Sequence, residues 1–371
     1  MAINESNVHA ERPTSNIRVV VAMSGGVDSS VAAALLKAQG YDVVGLMLKL
    51  WSDGDNGRTN RCCTPADVEA ARSIAQQLAI PFYLINIADT FKATVVDYFI
   101  DEYVAGRTPN PCLRCNRHIR YELLLNKALG LGARYLATGH YARVRQVDGT
   151  YQLLRGVDPN KDQAYVLSVL GQRELAHALW PLGELTKPQV RELAGRYNLS
   201  VAEKAESQDL CFLADGDYRD FITRHAPDGS IQPGDIRTTD GRVIGRHQGL
   251  PFYTIGQRKG LGIAAPEPLY VIALEPADNS LIVGTHSELG RSACAVRELH
   301  YVSGRAPMEP FRATAKIRYK AREAAVTVYP DQTGARVAFD EPQRDITPGQ
   351  GLVLFDGEIV IGQGIISPYR A

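Results

Sequence analysis

Residues Val19–Ala22 form a short, wholly apolar run that passes directly into Met23-Ser24-Gly25-Gly26-Val27-Asp28-Ser29-Ser30. A helix-forming stretch, Ser29–Gln39, follows, and Gly40 stands where a helix-ending glycine is expected. This strand–turn–helix unit constrains the fold more than any other feature. A strand without polar positions must be covered on both faces, and a helix that follows it at once is the element that covers it. The chain then repeats the theme. Val43–Leu48 reads as a second strand, Phe82–Ile87 as a third and Arg134–Ala137 as a later one. Between them lie helical stretches Phe91–Val104 and Cys115–Leu129, and one that opens at Thr64-Pro65-Ala66-Asp67 and runs to about Leu78. Thr at the N-cap, Pro at the first helical position and an acid at the third mark that opening. The expectation is an α/β domain with a parallel sheet.

The pattern changes after about Gly216. Tyr270–Glu275, a turn at Pro276–Ser280, and Leu281–Gly284 read as a hairpin. Short alternating runs follow at Ala313–Tyr319, Ala324–Tyr329, Ala335–Phe339, Gly351–Phe355 and Glu358–Gly362, with the hairpin dipeptide Asp356-Gly357 between the last two. Such spacing predicts a small barrel. A chain of 371 residues exceeds what one core usually organises. The division expected is a disordered arm over 1–16, an α/β domain over 17–215, a small linking domain over 216–287 and a β domain over 288–371.

Lys and Arg number 41 and Asp and Glu number 41, so no overall field draws the chain to nucleic acid or to an anionic membrane. No apolar run approaches the ~18–20 residues of a membrane span. The polar N-terminus carries Glu5 and Glu11 and has no apolar region of a secretory signal. Six cysteines without a signal suggest free thiols in the cytoplasm.

Ser24–Ser30 is the most informative segment. Paired glycines let the backbone turn tightly and aim N–H groups at an anion, and the helix N-terminus adds partial positive charge at the same point. Ser24, Ser29 and Ser30 offer hydroxyls, and Asp28 can help hold Mg²⁺. The Walker spacing and its lysine are absent. The alternative is an ordinary tight turn. The segment resembles the SGGxDS signature of PP-loop ATP pyrophosphatases, which cleave ATP between its α and β phosphates. In such a site Ser24, Gly25, Gly26, Val27, Asp28 and Ser29 would surround the departing pyrophosphate. Ala22, Met23 and Leu48, at strand ends beside the loop, would meet the adenine.

Cys112-Leu113-Arg114-Cys115 and the distant Cys211 form the second constellation. Arg107, Arg114, Arg117 and Arg120 surround the pair, with no acid between Glu102 and Glu122. Nearby cations and a helix start at Cys115 would favour thiolates. Zinc half-site, redox pair and simple burial are the alternatives for a lone CxxC. Cys294 reads as buried and inert. Cys62-Cys63 has no assigned role.

Six motifs in one order make a resemblance specific: Met23–Ser30, Arg107–Pro111, Ala137–Tyr141, Asn160–Gln163, Ser207–Phe212 and Gly256–Gly262. The chain resembles the bacterial tRNA-specific 2-thiouridylase family from about Arg18 to Ile366. The resemblance implies a PP-loop domain, a central domain and a C-terminal β-barrel. It implies ATP and Mg²⁺, a tRNA with a wobble uridine, and a sulfur-relay protein or cysteine desulfurase as donor. No membrane is implied, and the chain is expected to act as a monomer. Cys211 would carry a persulfide, Cys115 would be the nucleophilic cysteine, and the pair would end as a disulfide. Gly139 matches a further nucleotide position. Asn110, Pro111, Cys112, Lys161, Asp162 and Gln163 match positions near the target base.

One departure matters. Many relatives carry Asp, read as an acid/base, where this chain has Cys112, whose ordinary pKa of ~8.5 is far from the ~3.9 of Asp. A branch of PP-loop thiolation enzymes with CxxC plus a distant Cys uses a [4Fe–4S] cluster, so Cys112, Cys115 and Cys211 are alternatively cluster ligands. For the tRNA surface, Arg312, Lys316, Arg318, Lys320 and Arg322 form a run without acids; on a strand, alternate residues from Lys316 would share one face. Arg318 and Tyr319 are the expected contacts within it. Arg242, Arg246, Arg258 and Lys259 form a second basic group. Other readings are a PP-loop ligase or amidotransferase acting on a carboxylate, which would need no thiols, and a non-catalytic tRNA-binding module, which would need no phosphate loop.

Overall fold

The computed structural model of the chain describes residues 16–53, 64–204, 210–213 and 217–368. Cys62-Cys63, residues 1–15 and the Ser207–Asp209 part of the Cys211 motif lie outside them. Strands β1 (Arg18–Ala22), β2 (Asp42–Lys49), β3 (Phe82–Asn86), β4 (Tyr135–Ala137) and β7 (Ala178–Leu179) form a sheet in the order β3-β2-β1-β4-β7. Every pairing in it is parallel. Alternate residues serve opposite cores. Val19, Val21 and Val43 pack with α1 (Val27–Ala38) and the helix Lys187–Arg196, whereas Val20, Val44 and Leu46 pack with Tyr121, Leu124 and Leu125. The continuous apolar strands are thus explained by a sheet covered on both sides.

Strand order reverses beside β1. From there the chain runs outward through β2 and β3 on one side and through β4 and β7 on the other. Ligands of open α/β sheets bind outside the carboxyl ends of the strands at such a switch point. Met23-Ser24 leaves β1 there and Thr138-Gly139 leaves β4 there.

The central part holds β8 (Gly234–Thr238), β9 (Val243–His247), β10 (Tyr270–Glu275) and β11 (Ser280–Gly284) in the order β10-β11-β8-β9. The C-terminal part holds β12 (Arg291–Tyr301), β13 (Phe311–Lys316), β14 (Ala324–Pro330), β15 (Gly334–Gln343), β16 (Gly351–Asp356) and β17 (Ile359–Ile366). Pairing of β12 with both β15 and β17 closes these six into a barrel. A hairpin of β5 (Ala142–Val147) and β6 (Thr150–Arg155), from the N-terminal half, joins the barrel sheet at Ile359–Leu154. Sequence reading passes over this hairpin, although Asp148-Gly149, both at positive φ, carries the same turn chemistry as Asp356-Gly357. No helix among the described residues is long and apolar enough to cross a membrane.

Two helical runs differ from expectation. Residues 88–104 and 111–130 each contain a π-helical stretch, Lys92–Val96 and Cys115–Leu124. The second run starts at Pro111, not at Cys115, because Asn110 caps it: its Oδ1 accepts from the N–H groups of Cys112 and Leu113 at 3.1 and 3.3 Å. The barrel docks on the segment just before it. Thr108 N–H donates to Pro348 O at 2.9 Å, and Gln350 Nε2 donates to Thr108 O at 3.0 Å.

Candidate active site

The loop between β1 and α1 is built for close approach. Gly25 has φ +69°, and a Cβ there would stand 2.3 Å from the Asp67 carbonyl oxygen. A Cβ on Gly139 would stand 2.8 Å from the backbone of both Asp28 and Ser29. Two walls of the loop are therefore backbone against backbone, which only glycine permits. Within it, Ser30 Oγ donates to Gly26 O at 2.8 Å and Ser24 N–H donates to Ser29 Oγ at 3.1 Å. Gly26 is the N-cap of α1 and contributes no side-chain cap, so the helix presents its first N–H groups and its positive end to the crevice. Ala22, Met23 and Leu48 stand at strand ends beside this loop. The arrangement fits a nucleotide phosphate chain, with the Asp28 carboxylate partly open beside it for a divalent cation.

Sequence reasoning missed the loop's cations. The Lys187 ammonium, buried at 7% exposure, donates to Asp28 Oδ1 at 2.7 Å, and the Tyr141 hydroxyl donates to the same oxygen at 2.8 Å. Lys204 donates to Gly25 O at 2.9 Å and to Asp67 Oδ1 at 2.6 Å. Burial works to raise the Asp67 carboxyl, but bonds from Lys204 and Thr64 hold it below the usual carboxylate range. Asp67 and Thr64 form the expected capping box at the start of α2 (Pro65–Gln77). No local sequence pattern marks Lys187 or Lys204, because the contacts span 159 and 179 residues.

Cys115 and Cys211 pack against one aromatic cluster that includes Phe91, Phe99, Phe212 and Phe221. Arg120 interacts electrostatically with both thiols and hydrogen-bonds Cys115. The π-helical winding accounts for that contact, since it brings residues five apart into register. Burial pushes the Cys115 thiol up from its ordinary pKa, and Arg120 only partly offsets it. This corrects the expectation of thiolates favoured by a ring of cations. Arg107 is bound bidentately by Glu102, while Arg114 donates to Thr94 O and stacks on Tyr98. The helix starts at Pro111, so Cys115 does not stand at its N-terminus, and Cys112 is the exposed cysteine of the pair. Cys112, Cys115, Cys211 and Cys294 are thiols not joined in disulfides, and burial pushes the Cys294 thiol up to about 12. Among the described residues no three His, Cys, Asp or Glu side chains gather closely enough to hold a metal ion. His140 Nδ1 is hydrogen-bonded to Thr138 Oγ1 at 2.7 Å, and burial first, then Arg120, holds the imidazole's pKa well below its ordinary value.

Asn110, Cys112, Tyr165, Tyr319 and Asp162 form one neighbourhood. The Tyr165 hydroxyl donates to Gly351 O at 2.8 Å, its ring meets that of Tyr319 edge-on, Asn110 hydrogen-bonds it and Cys112 acts on it electrostatically. The Tyr319 hydroxyl donates to Asp162 O at 3.1 Å. Asp162 Oδ1 accepts from Gly156 and Ala164 N–H groups, and Gln163 Oε1 accepts from Tyr141 N–H, so these two side chains shape their own loop. Pro111 is buried, and Lys161 is half-buried. Tyr165 belongs to this group and was missed because its packing partner lies in the barrel.

The basic strand face is corrected. β13 ends at Lys316, and Ile317–Lys320 turns toward β14, so Arg318, Lys320 and Arg322 do not share a strand face with Lys316. Acids from neighbouring segments also reach the run. Asp340 binds Arg312 through both oxygens, and Asp345 binds Arg318 at 3.0 Å. Lys320 and Arg322 remain exposed. In the central part Arg242 pairs with Asp240, while Arg246, Arg258 and Lys259 are exposed.

Comparison with known proteins extends along the chain. Residues 17–215 match the family model described as tRNA methyl transferase HUP domain, 219–285 the tRNA methyl transferase PRC-barrel domain, and 291–366 the aminomethyltransferase beta-barrel domain. The chain is 52% identical to the tRNA-specific 2-thiouridylase MnmA of Moorella thermoacetica, covering 94% of this chain and 98% of that protein. It is 48% identical to the protein of that name from Symbiobacterium thermophilum, with 94% and 92% covered. Against the one from Roseiflexus castenholzii it is 47% identical, with 94% and 99% covered.

Proposed function

The chain belongs to the tRNA-specific 2-thiouridylase family, and from that membership we propose how its residues divide the work of an ATP-dependent tRNA sulfurtransferase. ATP lies with its β and γ phosphates on Ser24–Ser29 and the N-terminus of α1, and its adenine against Ala22, Met23 and Leu48. Gly139 closes the site. Asp28 would hold Mg²⁺, which neutralises phosphate charge when bound.

The wobble uridine of the tRNA is splayed from the anticodon stack toward Asn110, Pro111, Cys112 and Lys161–Gln163, with Arg318 and Tyr319 on the barrel side. Its C2 oxygen attacks the α-phosphorus, and pyrophosphate leaves. C2 now carries a good leaving group, which splits one hard displacement into two easier steps. The terminal sulfur of a Cys211 persulfide, loaded by a sulfur-relay protein or cysteine desulfurase, attacks C2, and AMP departs. Cys115 then attacks the Cys211 sulfur. The sulfur–sulfur bond breaks toward the nucleobase, leaving 2-thiouridine and a Cys115–Cys211 disulfide that a thiol reductant reopens. We place the enzyme with its tRNA in the cytoplasm.

The observation that carries this reading is the placing of Cys115 and Cys211 on one aromatic cluster around one guanidinium. The alternative is an iron–sulfur route through Cys112, Cys115 and Cys211. Iron and sulfide analysis of anaerobically purified protein separates the two, and a colourless, active enzyme excludes the cluster. Mass spectrometry of tRNA after incubation with ATP and a sulfur source tests the whole. Cys211→Ser is expected to abolish thiolation with tRNA binding intact; retained thiouridine in that variant would falsify the persulfide assignment.

A further inference from the structure

Two hydrogen-bonded routes leave one oxygen of Asp28 and end on one loop. The first runs from Asp28 Oδ1 to the Tyr141 hydroxyl at 2.8 Å. Tyr141 is in turn tied to Gln163 twice: its N–H donates to Gln163 Oε1 at 3.0 Å, and its carbonyl accepts from Gln163 N–H at 2.9 Å. The second runs from Asp28 Oδ1 to the Lys187 ammonium at 2.7 Å. Lys187 N–H donates to Asp158 Oδ2 at 2.9 Å, while the other carboxylate oxygen of Asp158 accepts from Asn160 N–H at 3.0 Å. Lys161 N–H closes onto Asp158 O at 3.0 Å.

Both routes are buried: Tyr141, Asp158 and Lys187 are at most 7% exposed. The loop they reach has an exposed Asn160 and a half-buried Lys161 at its outer side. Close-packed groups joined by short hydrogen bonds have little slack, so a shift of the loop is passed to the carboxylate rather than absorbed. A backbone contact stiffens the same corner, since a Cβ on Gly156 would stand 2.7 Å from Tyr141 O.

We propose that Tyr141 and Lys187 are positioning residues that couple occupancy of the 158–163 loop by tRNA to the carboxylate of Asp28 in the phosphate loop. The inference rests on the reading that this loop meets tRNA. Its consequence is that tRNA and nucleotide strengthen each other's binding by one common factor, because coupling between two sites is reciprocal. ATP is then held in reactive form chiefly when the uridine is present to accept the adenylyl group.

The test is titration calorimetry of the full chain with Mg²⁺ and a non-hydrolysable ATP analogue, with and without tRNA, and of tRNA with and without the analogue. Wild type should give the same factor in both directions, about fivefold or more. Tyr141→Phe, which removes a single hydroxyl, and Lys187→Met should each bring the factor to within about twofold of unity, and Lys187→Arg should keep part of it. A purely structural role would weaken single affinities without moving this ratio. No coupling in wild type, or an undiminished factor in both Tyr141→Phe and Lys187→Met, overturns the proposal. The underlying reading has its own arm. Weaker tRNA binding by Lys161→Ala without nucleotide supports it, and unchanged binding removes the loop as a tRNA contact and the coupling with it.

Discussion

Gly139→Ala tests the phosphate loop by steric means alone. Gly139 is not in the left-handed region, so alanine fits its backbone, and only the space for the new methyl is at issue. That methyl would lie 2.8 Å from Asp28 C and Ser29 N, against 3.4 Å for an ordinary contact. Both neighbours are backbone, so no side chain can rotate away. The strand end and the loop must part by roughly 0.6 Å. Misplacement by ~1 Å costs about 100-fold in a positioned reaction, so about tenfold is expected here. Overpacking should also cost ~1–3 kcal/mol of stability. The assay is pyrophosphate release at saturating tRNA across a range of ATP. The expected loss appears in kcat/KM for ATP. Gly130→Ala is the control, because its Cβ meets nothing within 4 Å and its helix should gain a few tenths of a kcal/mol or more. Wild-type pyrophosphate release by Gly139→Ala would refute the claim that strand end and loop enclose the phosphates.

Two further outcomes follow from the buried groups. His140 stays neutral in the fold because burial, aided by Arg120, lowers its pKa well below the ordinary ~6.5. Above that pH neither folded nor unfolded chain is protonated; below it the unfolded chain takes up a proton that the fold refuses, so stability falls as pH drops toward the folded pKa. Urea unfolding between pH 7.5 and 5.5 should lose less stability in His140→Gln than in wild type, by up to ~1.4 kcal/mol per pH unit, and parallel curves would remove His140 as the source. For the thiols, iodoacetamide at neutral pH should label Cys112 before Cys115, since Cys112 is exposed and burial raises the Cys115 pKa. Arg120→Met should slow Cys115 further, and faster labelling would contradict the arginine's assigned sign.

Much of the fold was legible because it rests on local chemistry. The Val19–Val21 run, the glycine pair after it and the Thr64–Asp67 cap act within a few residues, and all three adopt the form their sequence predicts. The helix start after Asn110 also has a local cause, since Asn110-Pro111 is a capping pair that begins the helix four residues before the expected Cys115. The basic run from Arg312 to Arg322 misled for the opposite reason. Counting neighbours along the chain cannot see that Asp340 and Asp345 fold over Arg312 and Arg318.

The sequence by itself determined which chemistry is present: a phosphate loop on an apolar strand, three placed cysteines, and a neutral total of charge that conceals basic groups. Tertiary structure alone decided how those groups are poised. It brings Lys187 and Tyr141 onto one oxygen of Asp28, selects Arg120 from four arginines as the partner of Cys115 and Cys211, and withdraws Cys115 from water so that its thiol pKa rises. Burial and through-space charge depend on distance in three dimensions, and residues more than a hundred positions apart set both.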